Sequence, residues 1–426
     1  MRATGRVAFI GAPARYPSTA CLNVPDFASL VSSLPAPSAD ESAHSARLAA
    51  AIREEIAATG PITFARFMER CLYAPGLGYY SAGRLKFGQA GDFVTAPELG
   101  SLFARCVAQA LAPTLRACGE AAAWFELGGG SGAFARDCLL ALAAQEALPR
   151  HYWLLEPSAD LRERQRDCLR AALPTDIFAR CAWLDGPPPH AWSGVLFANE
   201  VLDALPITRF SVRAGEAFEE HVAVDANGGF VATDRPADPL VAGAMRHLER
   251  HLGRAFEDGY RSEVLPQLPW WLQAVAGEQT RGVALFIDYG YVRREFYLPE
   301  RRDGTLLCHY RHRAHDDPFI LAGLQDITAS VDFTALAEAG RGAGLEPATY
   351  MFQSEFLLAS GLEGAFAEAR ANARDEAARY AVAQQVKRLT LPGEMGERFQ
   401  GMLFVRGLDP ATVAAPLVTI DRSARL

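Results

Sequence analysis

FELGGGSGAF, residues 125–134, sets three consecutive glycines, and a fourth two positions on, behind an apolar run that carries Glu126. The run AAWFEL (122–127) has the character of a short buried strand. SGAFARDCLLALAAQ (131–145) spaces its apolar residues as a helix does. A glycine turn between strand and helix lets backbone approach a ligand closely, or simply joins the two elements. Gly128-x-Gly130-x-x-Ala133 also satisfies the relaxed dinucleotide fingerprint, so the loop alone does not choose its ligand.

The surroundings decide more. A carboxylate at Glu126 repels a pyrophosphate and suits an ammonium group. S-adenosylmethionine carries an ammonium and no phosphate. Glu156 ends the next strand, HYWLLE (151–156), where it suits two ribose hydroxyls, a feature of both cofactor types. Helix SADLRERQRDCLRAAL (158–173) and strand GVLFANE (194–200) continue a βαβ order, which predicts a parallel sheet with right-handed crossovers. Residues from about 207 to 280 interrupt it with FSVRAGEAFEEHVAV and GGFVAT as antiparallel strands and PLVAGAMRHLERHLGRAFEDGY as a helix. They are expected to be an insertion and not a separate sheet. Strand GVALFIDYG (282–290) then returns, followed by helix DFTALAEAGRGAGL, strand ATYMFQ, more helix and a closing strand, QGMLFVRGL. That ending matches a seven-stranded methyltransferase sheet whose last strand inserts antiparallel. A dinucleotide domain has no need of it.

Upstream, Ser45 or Asp40 is expected to cap a helix through Ile56. Gly60-Pro61 breaks it before a second helix to about Leu72. GLGYYSAGRLKFGQAGDFVTAPELG (76–100) is too glycine-rich for helix and reads as a structured loop. The division expected is 1–44 as a disordered extension and 45–120 as a helical lead with a cofactor-covering loop. The methyltransferase domain begins over 121–210, an insertion fills 211–280, and 281–426 completes the domain with helical insertions.

The totals exclude several classes. The chain has 426 residues, half of them hydrophobic, with Lys+Arg 42 against Asp+Glu 50 and a net charge of -8. Mild acidity argues against non-specific nucleic-acid binding. No run of 18 apolar residues occurs, so no membrane span is expected. Eight cysteines show no C-x-x-C spacing and read as reduced thiols, not as a zinc or disulfide framework. Residues 1–25 hold three arginines and no acid, loosely like a transit segment. The plainer reading is an extension, with a cytoplasmic protein, or a matrix one from a eukaryote.

GYYSAGRLKFGQAGDFVTAPELGSLF, FELGGGSG, LLEPSADLRERQ, LFANEVLDALPITRF, FIDYGY, DGTLLCHYRH and QDITASVDFTALAEAG, in this order over about residues 50–407, resemble the MidA-type family. Its members are S-adenosylmethionine-dependent methyltransferases. The resemblance implies an α/β class I methyltransferase fold, Rossmann-like, with a helical N-terminal lead and inserted segments. The family includes a mitochondrial arginine methyltransferase acting on a core subunit of respiratory complex I during assembly, so a protein substrate of that kind is implied. The cofactor's methionine end is placed against Gly128, Gly130 and Gly132 near Glu126, and its ribose on Glu156. GDFVTAPE becomes a loop closing over the cofactor, with Asp92 and Thr95 nearby. Many relatives have E-L-G-P-G-R-G where this chain has Gly129 and Ser131. The glycine pattern survives, but any role of that arginine does not carry over.

Methyl transfer is an in-line displacement, and the enzyme mainly aligns nucleophile, carbon and sulfur in a dry site. A guanidinium stays protonated, with a pKa above about 12, so carboxylates are wanted to orient it. Asn199, Glu200 and Asp203 stand at the carboxyl end of a strand, where α/β sheets bind ligands. Glu200 is the expected orienting acid and Asn199 a positioning group. Asp203 equally suits a turn cap. Asp288, also ending a strand, is the second catalytic candidate. Thr95-x-x-Glu98 also matches a capping box, with Pro97 suited to a first turn. His309, His312 and His315 have helical spacing, but the intervening arginines argue against a metal, and none is expected. The other readings are an assembly factor with a structural cofactor site, and an NAD(P)-dependent oxidoreductase.

Overall fold

The computed structural model describes residues 34–82 and 95–426. Within the compact unit Ala36–Leu426, seven strands form the central sheet. They are β1 (Ala123–Leu127), β2 (His151–Leu155), β3 (Cys181–Leu184), β4 (Trp192–Asn199), β5 (Gln279–Tyr291), β6 (Glu346–Phe352) and β7 (Phe399–Arg406). Their spatial order is β6-β7-β5-β4-β1-β2-β3, with the two-residue strand Val331–Asp332 pairing beside β5. Neighbours are parallel except around β7, which runs antiparallel to both β5 and β6.

Both faces of this sheet are buried, so its middle strands are apolar almost throughout. On β5, Val283, Leu285 and Ile287 face one core while Ala284 and Phe286 face the other. The first core is closed by helices Leu102–Cys118 and Ala133–Ala144, the second by Leu268–Ala276 and Phe333–Gly342. Four helices, Gln353–Ala359, Leu362–Ala371, Glu376–Thr390 and Met395–Arg398, lie between β6 and β7.

Several local expectations need correction. The first helix is Ala39–Thr59, and Ser38 caps it in a reciprocal box with Glu41, so the lead starts before residue 45. Residues 207–280 do build a sheet of their own. Thr208–Arg213, Glu216–Val224, Phe230–Pro236 and Arg261–Val264 join Ile62–Thr63 from the lead in five antiparallel strands. Leu307–Tyr310, Arg313–His315 and Asp326–Thr328 form a third sheet. Its hairpin turns at Arg311 and His312, both in left-handed backbone. The three histidines of HYRHRAH therefore share no helix face. Among the described residues no group of His, Cys, Asp or Glu is placed to hold a metal, and no helix is long and apolar enough to cross a membrane. The seven described cysteines are free.

Candidate active site

A cavity of about 620 Å³ opens at the carboxyl ends of β1, β2, β4 and β5. Its wall includes Thr95, Glu126, Gly128, Gly130, Glu156, Asn199 and Glu200. Seven carboxylates line it (Glu69, Glu98, Glu126, Glu156, Glu200, Asp203 and Asp326), against one arginine, Arg398, among the described residues. Such a wall favours cations.

The glycine loop is shaped by contacts as well as by backbone. Gly128 has φ 65°, and a Cβ there would lie 2.9 Å from Val201 Cγ2. Gly132 has φ 87° and begins helix Ala133–Ala144, where a Cβ would lie 3.2 Å from Gln165 Cα. Gly132 is not in the cavity wall. It lets the helix that follows the loop approach helix Ala159–Ala172.

Gln165 is fully buried and ties the site together. Its Nε2 donates to the Gly130 carbonyl at 2.9 Å and to Glu156 Oε2 at 3.1 Å, while Trp183 Nε1 donates to its Oε1 at 2.8 Å. Glu156 Oε1 also accepts from the Ser158 N–H at 3.0 Å. The carboxylate is thus held at the end of β2, facing the cavity. Sequence reading missed Gln165 because it sits in the charged run RERQRDCLR, which looks like a solvated face.

Glu126 is buried, and the Tyr152 hydroxyl donates to its Oε2 at 2.7 Å. Burial, reinforced by nearby Glu156, pushes its pKa up to about 8 against the pull of Tyr152. Ser131 donates through Oγ to Glu98 and so joins the glycine loop to the segment Ala96–Leu99. The capping-box reading of that segment fails, since Thr95 makes no side-chain cap bond. Asp92 lies outside the described residues.

On the other side of the cavity the turn after β4 carries the acids. Glu200 takes left-handed backbone, φ 54°, a conformation that non-glycine residues adopt at some strain. Asn199 Nδ2 donates to Glu200 Oε1 at 3.0 Å, and the Ala96 N–H bonds the same carboxylate. Burial and the neighbouring Asp203 charge push Glu200 up to about 8. Asp288 does not line the cavity. Its Oδ2 accepts from the N–H groups of Val201, Leu202 and Asp203 at 3.2, 3.0 and 3.3 Å. Asp288 thereby anchors the acidic turn. Asp203 takes its place in the wall, its pKa pushed up to about 6 by burial. The Tyr289 hydroxyl lies against that carboxylate, yet among the described residues buried Oδ1 accepts no hydrogen bond, nor does Asn199 Oδ1.

A sheet in this order, with a glycine loop after β1, Glu126 beside that loop and Glu156 at the end of β2, is that of a class I S-adenosylmethionine-dependent methyltransferase. The profile of a family described as S-adenosyl-L-methionine-dependent methyltransferases matches residues 106–351, more than half of the chain. A COG1565 superfamily protein from Burkholderia thailandensis, solved with S-adenosylhomocysteine bound, is 42% identical. The likeness covers 92% of this chain and 100% of that one, with a TM-score of 0.85. "Protein arginine methyltransferase NDUFAF7 homolog, mitochondrial" of Drosophila melanogaster is 29% identical and covers 86% of each chain. The human "Protein arginine methyltransferase NDUFAF7, mitochondrial" is 27% identical, covering 81% of this chain and 80% of the relative. The chain belongs to this family, the MidA-type S-adenosylmethionine-dependent methyltransferases.

S-adenosylmethionine is the cofactor, and the lining fits it: Glu126 and Glu156 are acids suited to an ammonium and a ribose diol, beside a loop in which a Cβ at Gly128 would meet Val201 and one at Gly129 would meet Leu154. When bound it supplies an activated methyl group. The dinucleotide reading of Gly128-x-Gly130-x-x-Ala133 falls away.

Proposed function

We propose that this enzyme methylates an arginine side chain of a protein substrate, with a respiratory complex I subunit as the candidate acceptor. The observation that carries the reading is the acidic turn Asn199–Asp203, set in the same cavity as the glycine loop. Its carboxylates meet the need of a guanidinium for oriented acceptors. Glu200 orients the cation and Asn199 holds Glu200, while Asp288 keeps the turn in place. Glu126, Gly128, Gly130 and Glu156 hold the cofactor, with Thr95 in the same wall. The curated relatives are named as mitochondrial arginine methyltransferases, which agrees with this acceptor. The matching location is the mitochondrial matrix for a eukaryotic source and the cytoplasm for a bacterial one.

The test uses methyl-labelled S-adenosylmethionine, purified complex I core subunits, and mass spectrometry of the digested products. Methylarginine is expected with the wild type. Glu200→Gln should slow its formation by roughly 100-fold or more while leaving S-adenosylhomocysteine binding in place. A Glu200→Gln protein that methylates at the wild-type rate contradicts the role given to Glu200. Partner binding without any methyl transfer would make the protein an assembly factor with a structural cofactor site.

A further inference from the structure

The helical lead reaches the cavity through two tyrosines that the reaction described so far leaves unused. Tyr73 ends helix Phe64–Tyr73, and Tyr80 lies in the turn Tyr79–Ser81. Both are half-buried and both line the cavity. Their rings stack, with centroids 5.6 Å apart and planes 21° from parallel. Each hydroxyl is used to fix its ring against a distant part of the chain. Tyr73 donates to the Ala204 carbonyl at 2.8 Å, next to the acidic turn. Tyr80 donates to both carboxylate oxygens of Asp326 in the third sheet, at 3.0 Å each. The rings therefore stand as a wall locked from both sides. Asp203 lies close enough for its charge to act on both phenols. Its buried Oδ1 and that of Asn199 have no donor among the described residues.

We propose that Tyr73 and Tyr80 are specificity-determining residues, forming an aromatic wall along which the substrate's guanidinium lies while Asp203 and Glu200 accept its N–H groups. This rests on the arginine reading above. A guanidinium is planar, stacks on aromatic rings and offers five donors in one plane. A lysine ammonium is a compact point with three donors, and would use the acids but little of the wall. The lead is on this account part of the substrate site. The acids draw a cation in, and the tyrosines select the planar one.

The experiment compares two acetylated tripeptides, Gly-Arg-Gly and Gly-Lys-Gly, binding to the full chain saturated with S-adenosylhomocysteine. Wild type should prefer the arginine peptide. Tyr73→Leu and Tyr80→Leu should each weaken its binding by roughly 3- to 30-fold and narrow the preference over lysine. Tyr80→Phe keeps the ring but loses its hold on Asp326, so it should weaken the arginine peptide less than Tyr80→Leu does. Asp203→Asn should weaken the arginine peptide roughly 10-fold or more. In every variant S-adenosylhomocysteine should bind as in wild type. If one leucine variant no longer binds S-adenosylhomocysteine, the other and Asp203→Asn decide by the same comparison. Leucine variants that keep the wild-type affinity and preference overturn the proposal, while loss of binding in Glu200→Gln would still uphold the arginine reading. A wild type that prefers the lysine peptide overturns both.

Discussion

Glu126 shows how one residue sets stability against binding. Burial holds its carboxyl up at about 8, so it is neutral in the free protein at neutral pH. Unfolded, the same group titrates near the ordinary carboxylate value, about 4.3. Between those two values the folded chain binds more protons than the unfolded one, so this group makes the fold less stable as pH rises through that window. An ammonium beside it favours the ionised form. S-adenosylhomocysteine binding should therefore release protons and tighten as pH rises from about 6 to about 8, as calorimetry in buffers of different ionisation heat will measure. Glu126→Gln should raise the Tm of the free protein at pH 8, weaken S-adenosylhomocysteine roughly tenfold, and flatten the pH dependence. A Tm at pH 8 below that of the wild type would contradict this account. At this scale the strand-end acids were legible in the sequence, since each interrupts or follows an apolar run. What each acid does was not. Asp288 spends its Oδ2 on backbone N–H groups 85 to 87 residues away, and nothing local to FIDYG announces that.

Among the elements, the packing of helix Ala133–Ala144 on helix Ala159–Ala172 governs the cofactor side. Gly132 permits the approach and Gln165 fills it, fastening the glycine loop to Glu156 and Trp183. Gln165→Leu keeps the volume and removes all three bonds. It should lower stability by about 2 kcal/mol in urea denaturation and weaken S-adenosylhomocysteine roughly tenfold. Wild-type values in both measurements would mean that Gln165 only fills space. Six of the seven central strands were legible as apolar runs bounded by turn residues. The seventh, β3, is the four-residue run CAWL, half-buried at the sheet edge and too short to mark a strand by length or by alternation. The second sheet escaped for another reason. Its strands alternate locally, but Ile62–Thr63 pairs with Val222 and His221, and such distant pairing leaves no mark on a local pattern.

The whole molecule brings the methyl donor and its acceptor together from separate layers. The central sheet supplies the glycine loop, Glu126, Glu156 and the acidic turn. The lead and the third sheet supply the opposite wall through Tyr73, Tyr80 and Asp326. β7, antiparallel between β5 and β6, gives the ending that separates this sheet from a dinucleotide domain. That ending was legible from the order of elements, whereas the opposite wall was not, because it depends on contacts spanning 131 and 246 residues. The central claim is that the loop Gly128–Gly132 and Glu156 hold a methyl donor. Calorimetric titration with S-adenosylhomocysteine, with NADH in parallel, tests it most directly. The account predicts that the wild type binds S-adenosylhomocysteine and not NADH, and that Glu156→Ala weakens it by roughly tenfold or more. Binding of NADH, or S-adenosylhomocysteine affinity unchanged in Glu156→Ala, would contradict it.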